Sequence, residues 1–493
     1  MAVADGMVVW TGDDSTGRDC FGDATEVLEL RGRLVTPAFV DAHVHATAAG
    51  LLATGLDLTG CTSLLECLDA VARSAQPGVV LWGQGWDETG WPQRRPPTRA
   101  ELDRAAGGAP VYLCRVDGHS AVVSSALLER APEAPGAPGW AADAPLTSEA
   151  HHHVRGAARE SITPGQRRDA QRGFLAQAAS KGIAVVHECA GPDISGSDDL
   201  ADLLATGHGV EVIGYWGQAV GTPGQARELL AATGAHGLAG DLFCDGALGS
   251  RTAALRAPYA DAPDTCGVAY LTAEQIAAHV SACTEIGIQA GFHVIGDAAT
   301  DAVIAGFTTA EVAVGTAALR RCRHRIEHLE MVNTAQARQL AGWGVVASVQ
   351  PAFDAAWGGQ EGMYALRLGA SRAAEMNPYA LLAALGVGLA FGSDAPVTPL
   401  DPWGTVRAAA RHHSPGSEIN AIEALAAHTY GGYRAAATDD RMAGTLTPGA
   451  PASYAIWANG NLPGADLPGG DTPACLRTVH RGQVVFEQEG ALE

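Results

Sequence analysis

Basic residues are scarce in this chain: Lys and Arg number 32 against 54 Asp and Glu, a formal net charge of -22. A surface this negative repels phosphate backbones and anionic headgroups, which argues against nucleic-acid and membrane-surface partners. No stretch approaches the roughly 18 uninterrupted apolar residues that a membrane span needs. The opening residues, MAVADGMVVWTGDDSTG, lack a basic segment followed by an apolar run. No secretory signal is therefore expected, and the cytoplasm is the expected compartment. The ten cysteines, at 20, 61, 67, 114, 189, 244, 266, 283, 322 and 475, form no CxxC pair. That excludes a zinc ribbon and leaves them as small buried hydrophobes in a reducing compartment. A self-similar repeat of 20–50 residues, the mark of a solenoid, is missing too. The 61 glycines follow no three-residue period, which excludes collagen.

What is present is a packing composition. Of 493 residues, 47% are apolar and 17% charged, enough for one large domain and a smaller one. Residues 7–36 and the stretch from about Gly444 onward both read as short β segments bounded by turn residues. Neither end has enough strands for its own core, so the two are expected to pair as one small β domain. Between them, short apolar runs alternate with alanine-rich helical patterns, the sign of repeated βα units. Eight runs read as buried strands: FVDAHVH (39–45), IAVVHEC (183–189), VEVIGYW (210–216), GDLFCDG (240–246), QAGFHVIGD (289–297), RIEHLEM (325–331), VVASVQP (345–351) and LAFGSDA (389–395). Eight is the count of an α/β fold of the (β/α)8, TIM-like barrel type. The expected division is 1–38 and 436–493 for the small β domain and 39–435 for the barrel. An insertion at about 60–150 would cover the barrel mouth.

The chemistry gathers at the ends of those runs. His43 and His45, two apart on one strand, project from the same face. Asp241 or Asp245 lies on the fourth run, His293 on the fifth, His328 on the sixth and Asp394 on the eighth. In such a barrel the C-terminal rim of the strands is where active sites form. Imidazole and carboxylate are preferred ligands of zinc and similar divalent ions. Without a cation, clustered aspartates in a partly dry pocket would be costly.

These residues also carry a resemblance. VTPAFVDAHVH (35–45), DGHSAVVSSALL (117–128), CDGALGSRTAAL (244–255), HVIGDAATD (293–301), HRIEHLEMV (324–332), FGSDAPVTPLDPW (391–403) and TPGAPASYAIWA (447–458) span nearly the whole chain. In that series the chain resembles the metal-dependent hydrolases of the amidohydrolase superfamily, in the branch containing N-substituted formamide deformylase. The resemblance implies that His43, His45, His293, His328 and Asp394 bind a divalent metal, zinc being the first choice on ligand type. It also implies a barrel joined to a β-sandwich built from both termini. The branch usually carries a carboxylated lysine where this chain has Asp241. Aspartate ligates directly but is shorter, so one firmly held ion with a second weak or absent is favoured over a full pair. Asp245 is expected to position the DG turn.

The reaction so implied is hydrolysis of an amide-like C–N bond by metal-activated water, with Asp394 and His328 as catalytic residues. Asp394 would take the proton of the water and pass it to the leaving nitrogen, while His328 or His293 holds metal or polarises the carbonyl. A metal-dependent isomerase, deaminase or ester hydrolase, or a catalytically silent ligand-binding barrel, are the alternatives on the same scaffold. On the substrate side the candidates are His119 in DGHSA, His187 in VVHEC, Trp86 (with Trp82 and Trp91) and Arg251 in GSRTA. The triplet His151–His153 reads as a solvated helix face. Partners reduce to a small-molecule substrate and, as the alternative to a monomer, a homo-oligomer.

Overall fold

The structure is a computed structural model, and it describes residues 1–438, 440, 442–458 and 472–492. In chain order the strands begin with β1 (Ala2–Ala4), β2 (Met7–Trp10), β3 (Leu34–Pro37) and β4 (Phe39–Val44). Next come β5 (Leu56–Asp57), β6 (Leu81–Trp86), β7 (Val111–Arg115), β8 (Ser120–Val123) and β9 (Leu146–Thr147). The middle of the chain supplies β10 (Ile183–Ala190), β11 (Glu211–Trp216), β12 (Gly291–Val294), β13 (Arg325–His328), β14 (Val346–Val349) and β15 (Gly388–Phe391). Last are β16 (Tyr454–Trp457), β17 (Cys475–His480) and β18 (Gln483–Glu487).

Two parallel sheets carry the site, β11-β10-β4 and β12-β13-β14-β15. Isolated parallel bridges link them on both sides, Val44 to Ala395 on one and Tyr215 to Gly237 and Leu238 to Ala290 on the other. Parallel strands need long crossovers and end up covered on both faces. That explains why all eight residues of β10, IAVVHECA, are buried. The helix before it, Pro164–Ser180, starts from a Thr163–Gln166 capping box with proline in its first turn. Its Phe174 and Leu175 join Ile183 and Val186 in the main core, each burial worth roughly 1.5–3 kcal/mol against exposure.

Seven of the eight runs read as buried strands become ladder strands; 240–246 does not. Its strand pairing among the described residues is the isolated bridge of Phe243 to His293. Gly240 holds a left-handed backbone (φ +77°) that breaks the pleat. A Cβ on Gly217 would lie 2.6 Å from the carbonyl carbon of Asp241, so the segment is drawn inward against the end of β11. Asp245 secures the turn by accepting from the N–H groups of Ala254, Ile295 and Gly296 at 2.9, 3.0 and 2.7 Å.

The chain ends do pair. β3 from the N-terminal side runs antiparallel to β16 in a sheet ordered β18-β17-β16-β3, and Trp457 Nε1 donates to Thr36 Oγ1 at 2.9 Å. The β1–β2 hairpin joins this region through the Val8 N–H, which donates to the Ala450 carbonyl. The insertion is a five-stranded sheet, β5 to β9 in sequence order, with its own core around Val71, Trp86, Leu102 and Leu113. The His151–His153 triplet is not one solvated face. On the helix Ser148–Arg159, His151 is buried and its Nε2 pairs with the Tyr112 hydroxyl at 2.8 Å. Among the described residues no single helix is long and apolar enough to cross a membrane.

Candidate metal centre

The parallel strands deliver six side chains to one point. His43 and His45 come from the end of β4, His293 from β12, His328 from the last position of β13, Asp394 from just past β15 and Asp241 from the inward-drawn segment. His43 Nε2 lies 3.4 Å from Asp241 Oδ1 and 3.5 Å from Asp394 Oδ1. His45 Nε2 lies 3.2 Å from Asp241 Oδ2 and 3.1 Å from Asp394 Oδ1. The His293 and His328 rings are 4.4 Å apart between centroids, and His328 Nε2 is 3.9 Å from Asp241 Oδ1. His328 (φ +68°) and Asp394 (φ +54°) hold left-handed backbone, a strain that non-glycine residues keep where the surroundings impose it.

A second layer orients the imidazoles. His43 Nδ1 is paired with Glu327 Oε2 at 2.9 Å, and His328 Nδ1 with Gln350 Oε1 at 2.7 Å. Tied this way, both rings turn Nε2 toward the cluster, the arrangement in which an outer acceptor fixes a ligating tautomer. Glu327 is clamped by Arg325 through contacts at 2.5 and 2.9 Å. Burial opposes its ionisation, but Arg325 and His43 hold the carboxyl far below the usual range.

Electrostatics show how strained this cluster is without a cation. Burial disfavours a charged His45, yet contacts to Asp241 and Asp394 carry its pKa up to about 10. His293 goes the other way, down to about 3, through burial and then the neighbouring His328. Even so, His43 Nε2, His45 Nδ1, His293 Nδ1, Asp241 Oδ1 and Asp394 Oδ1 are buried with no hydrogen-bond partner. Buried lone pairs are normally satisfied. Four sets of donor atoms lie within 4.8 Å of one another among the described residues: His43–His45–Asp241, His43–His328–Asp394, Asp241–His293–His328 and, behind His43, His43–Cys189–Glu327. Nitrogen and carboxylate donors at this spacing fit a divalent cation, and Asp241 belongs to two of the sets.

Beside the cluster opens a narrow cavity whose wall includes His293, His328, Asp394 and His119. His119 reaches it from the insertion, its ring 5.0 Å from that of His293, and burial followed by His293 lowers its pKa to about 3. The other substrate-side candidates go elsewhere. Trp86 is fully buried in the core of the insertion, donating from Nε1 to the Leu113 carbonyl at 3.0 Å, and does not reach the cavity. His187 lies beneath the cluster, where its Nδ1 accepts from Arg325 Nη1 at 3.0 Å. Arg251 is bound to Asp261 at 2.7 Å, which Arg367 also holds. The aromatic wall comes instead from Phe353 and Trp357, on the helix Pro351–Trp357 that follows β14. Of the residues missed in the sequence, Glu327 carried a signal, a carboxylate beside His328 on β13, whereas Gln350, just past β14, meets His328 only in the folded structure.

Parallel strands that turn imidazoles and carboxylates toward one cation-sized point define a class, the divalent-metal hydrolases. The chain belongs to the amidohydrolase family, whose sequence pattern matches residues 26–486. It is similar to Protein LONG AFTER FAR-RED 3 of Arabidopsis thaliana, 27% identical over 498 residues that cover 92% of this chain and 83% of the relative. The crystal structure of an uncharacterized metal-dependent hydrolase from Pyrococcus furiosus superposes with a TM-score of 0.70 at 27% identity, covering 92% of this chain and 93% of that one. A shorter match, 29% identical over 132 residues and 26% of this chain, is to N-substituted formamide deformylase of Arthrobacter pascens. The protein is accordingly an α/β metal-dependent hydrolase.

Proposed function

We propose that the protein hydrolyses an amide-like C–N bond at this cluster, giving a carboxylic acid and an amine. The observation that carries the reading is Asp394. Its Oδ1 lies 3.1 Å from His45 Nε2, it has no hydrogen-bond partner, and the residue borders the cavity. His43, His45, Asp241, His293, His328 and Asp394 would hold the cation, zinc being the choice for this donor set. With Asp241 in two donor sets, either one or two ions are compatible with the arrangement. A divalent cation bound there supplies Lewis acidity, polarising an amide carbonyl and making water acidic near neutral pH.

The chain's own groups would then manage the proton. Asp394 accepts it as water adds to the carbonyl carbon and returns it to the nitrogen as the C–N bond breaks. His328, its Nδ1 tied to Gln350, keeps Nε2 turned to the reacting centre. His119, neutral at physiological pH, donates a hydrogen bond to the substrate from the cavity wall. In the same reading the two parallel sheets and the 240–246 segment close as a (β/α)8 barrel over 39–435. Residues 1–38 and 436–493 then make a β-sandwich.

The short match to a formamide deformylase makes formamides the first compounds to try. Metal-loaded protein assayed against N-substituted formamides, N-acyl amino acids, cyclic amides and aryl esters is expected to release amine from a member of the amide classes. Turnover confined to the esters, or none at all, would overturn the C–N assignment.

A further inference from the structure

The cavity wall has an acidic feature that the hydrolytic chemistry does not use. Glu330 lies two residues beyond His328, is only 3% exposed, and lines the cavity. Its Oε2 is buried without a hydrogen-bond partner. The Tyr364 hydroxyl faces the same carboxylate and favours its ionised form, at a geometry too poor to satisfy either buried atom. Of the other lining carboxylates, Asp394 belongs to the metal cluster and Asp117 is already committed: its Oδ2 accepts from Arg115 Nη1 and its Oδ1 from Ser250 Oγ, both at 2.9 Å.

Around Glu330 the wall is aromatic. Phe353 and Trp357 meet edge to face with centroids 4.9 Å apart, and Trp357 and Tyr364 do so at 6.4 Å. No lysine or arginine is among the described residues that line this cavity. A buried, unpaired carboxylate is costly unless it takes up a proton or a hydrogen-bonded cation meets it, and aromatic faces attract a cation that has shed its water.

We infer that this cavity takes a substrate bearing an ammonium group beside the scissile bond, with Glu330 Oε2 accepting its N–H and Phe353, Trp357 and Tyr364 forming the wall around it. The inference names a substrate class and rests on reading the cavity as the substrate site. It sets Glu330 as a specificity residue, distinct from the groups that move the proton.

Binding of two near-isosteric probes separates this from the hydrolytic reading. Benzylammonium and benzyl alcohol are titrated calorimetrically into metal-loaded protein at pH 7. Benzylammonium is expected to bind at least about tenfold tighter, the scale of one hydrogen bond to a charged group. In Glu330→Gln, which keeps the shape and loses the charge, that ratio should fall toward unity. In Trp357→Leu it should shrink by a smaller factor. An equal or reversed preference in the wild-type protein overturns the inference. So does a preference that survives Glu330→Gln, since the amine would then be held by something else, the metal included. Ammonium selectivity that depends on Glu330, with no amide turned over, would keep this assignment and remove the C–N one; amide turnover without selectivity would do the reverse.

Discussion

Two groups of buried histidines differ in what their ring nitrogens meet. His279 and His324 are satisfied on both sides. His279 accepts from the Val220 N–H and faces the Leu238 carbonyl; His324 accepts from the Ala290 N–H and faces the Thr284 hydroxyl. His43 and His293 are equally buried and His45 nearly so, and each leaves a ring nitrogen unpartnered in a cluster where Asp241 Oδ1 and Asp394 Oδ1 are unpartnered too. The first group ties strands and helices together. The second fits a cation. Burial alone does not distinguish a structural imidazole from a ligand; an unspent lone pair aimed at others does.

Substitutions in each group should pull that contrast apart. The largest effect is expected from Asp394→Asn, which leaves donor atoms for the metal but removes the proton carrier: kcat should drop by about 10²–10⁴-fold while metal content persists. Near-normal turnover of a confirmed substrate would end its assigned role. Glu327→Gln leaves every cluster donor in place but weakens the acceptor behind His43. Chelator competition should show metal affinity reduced by about 10–100-fold.

On the structural side, His324→Ala should lower unfolding free energy by about 1–3 kcal/mol in denaturant titrations, since it strands the buried Ala290 N–H, while the Thr284 hydroxyl keeps the Val280 carbonyl. Metal content should stay at the wild-type level. Were the two groups alike, this variant would lose metal as well.

The smallest effect is a proton count. Without a cation, His45 carries a proton up to a pKa of about 10, above its ordinary 6.5. Its pairing with Asp241 and Asp394 therefore stabilises the metal-free fold fully below about pH 6.5, and that contribution fades as pH rises toward 10. A ligating imidazole must be neutral, so metal uptake at pH 8 should release a proton and affinity should weaken as pH falls. Calorimetry in buffers of different ionisation enthalpy reads this directly; uptake without proton release would mean that His45 is not a ligand.

The residues that were legible in the sequence are those whose chemistry conflicts with their surroundings. A histidine or aspartate inside a Val/Ile-rich run has no packing reason to be there, and His43, His45, His293, His328 and Asp394 all converge. Less legible was anything decided by distant contacts. The 240–246 run has strand composition, but Gly240 and the close approach at Gly217 turn it into an inward-drawn segment, and that brings the short Asp241 side chain into the cluster. Trp86 looked like a cavity wall because aromatics crowd there; its own sheet buries it instead. Phe353, Trp357 and Glu330 form the wall from segments whose composition is ordinary for helices and turns, so only the packed structure brings them together. His151 reads as solvent-facing among its neighbours, and the Tyr112 hydroxyl across the interface decides otherwise.

The central claim is that six side chains, delivered by four strands and the 240–246 segment, hold a divalent cation. Anomalous diffraction from crystals of protein purified without added metal tests it most directly. The account predicts a peak enclosed by His43, His45, Asp241, His293, His328 and Asp394. No peak there, or a metal bound elsewhere on the molecule, would contradict it.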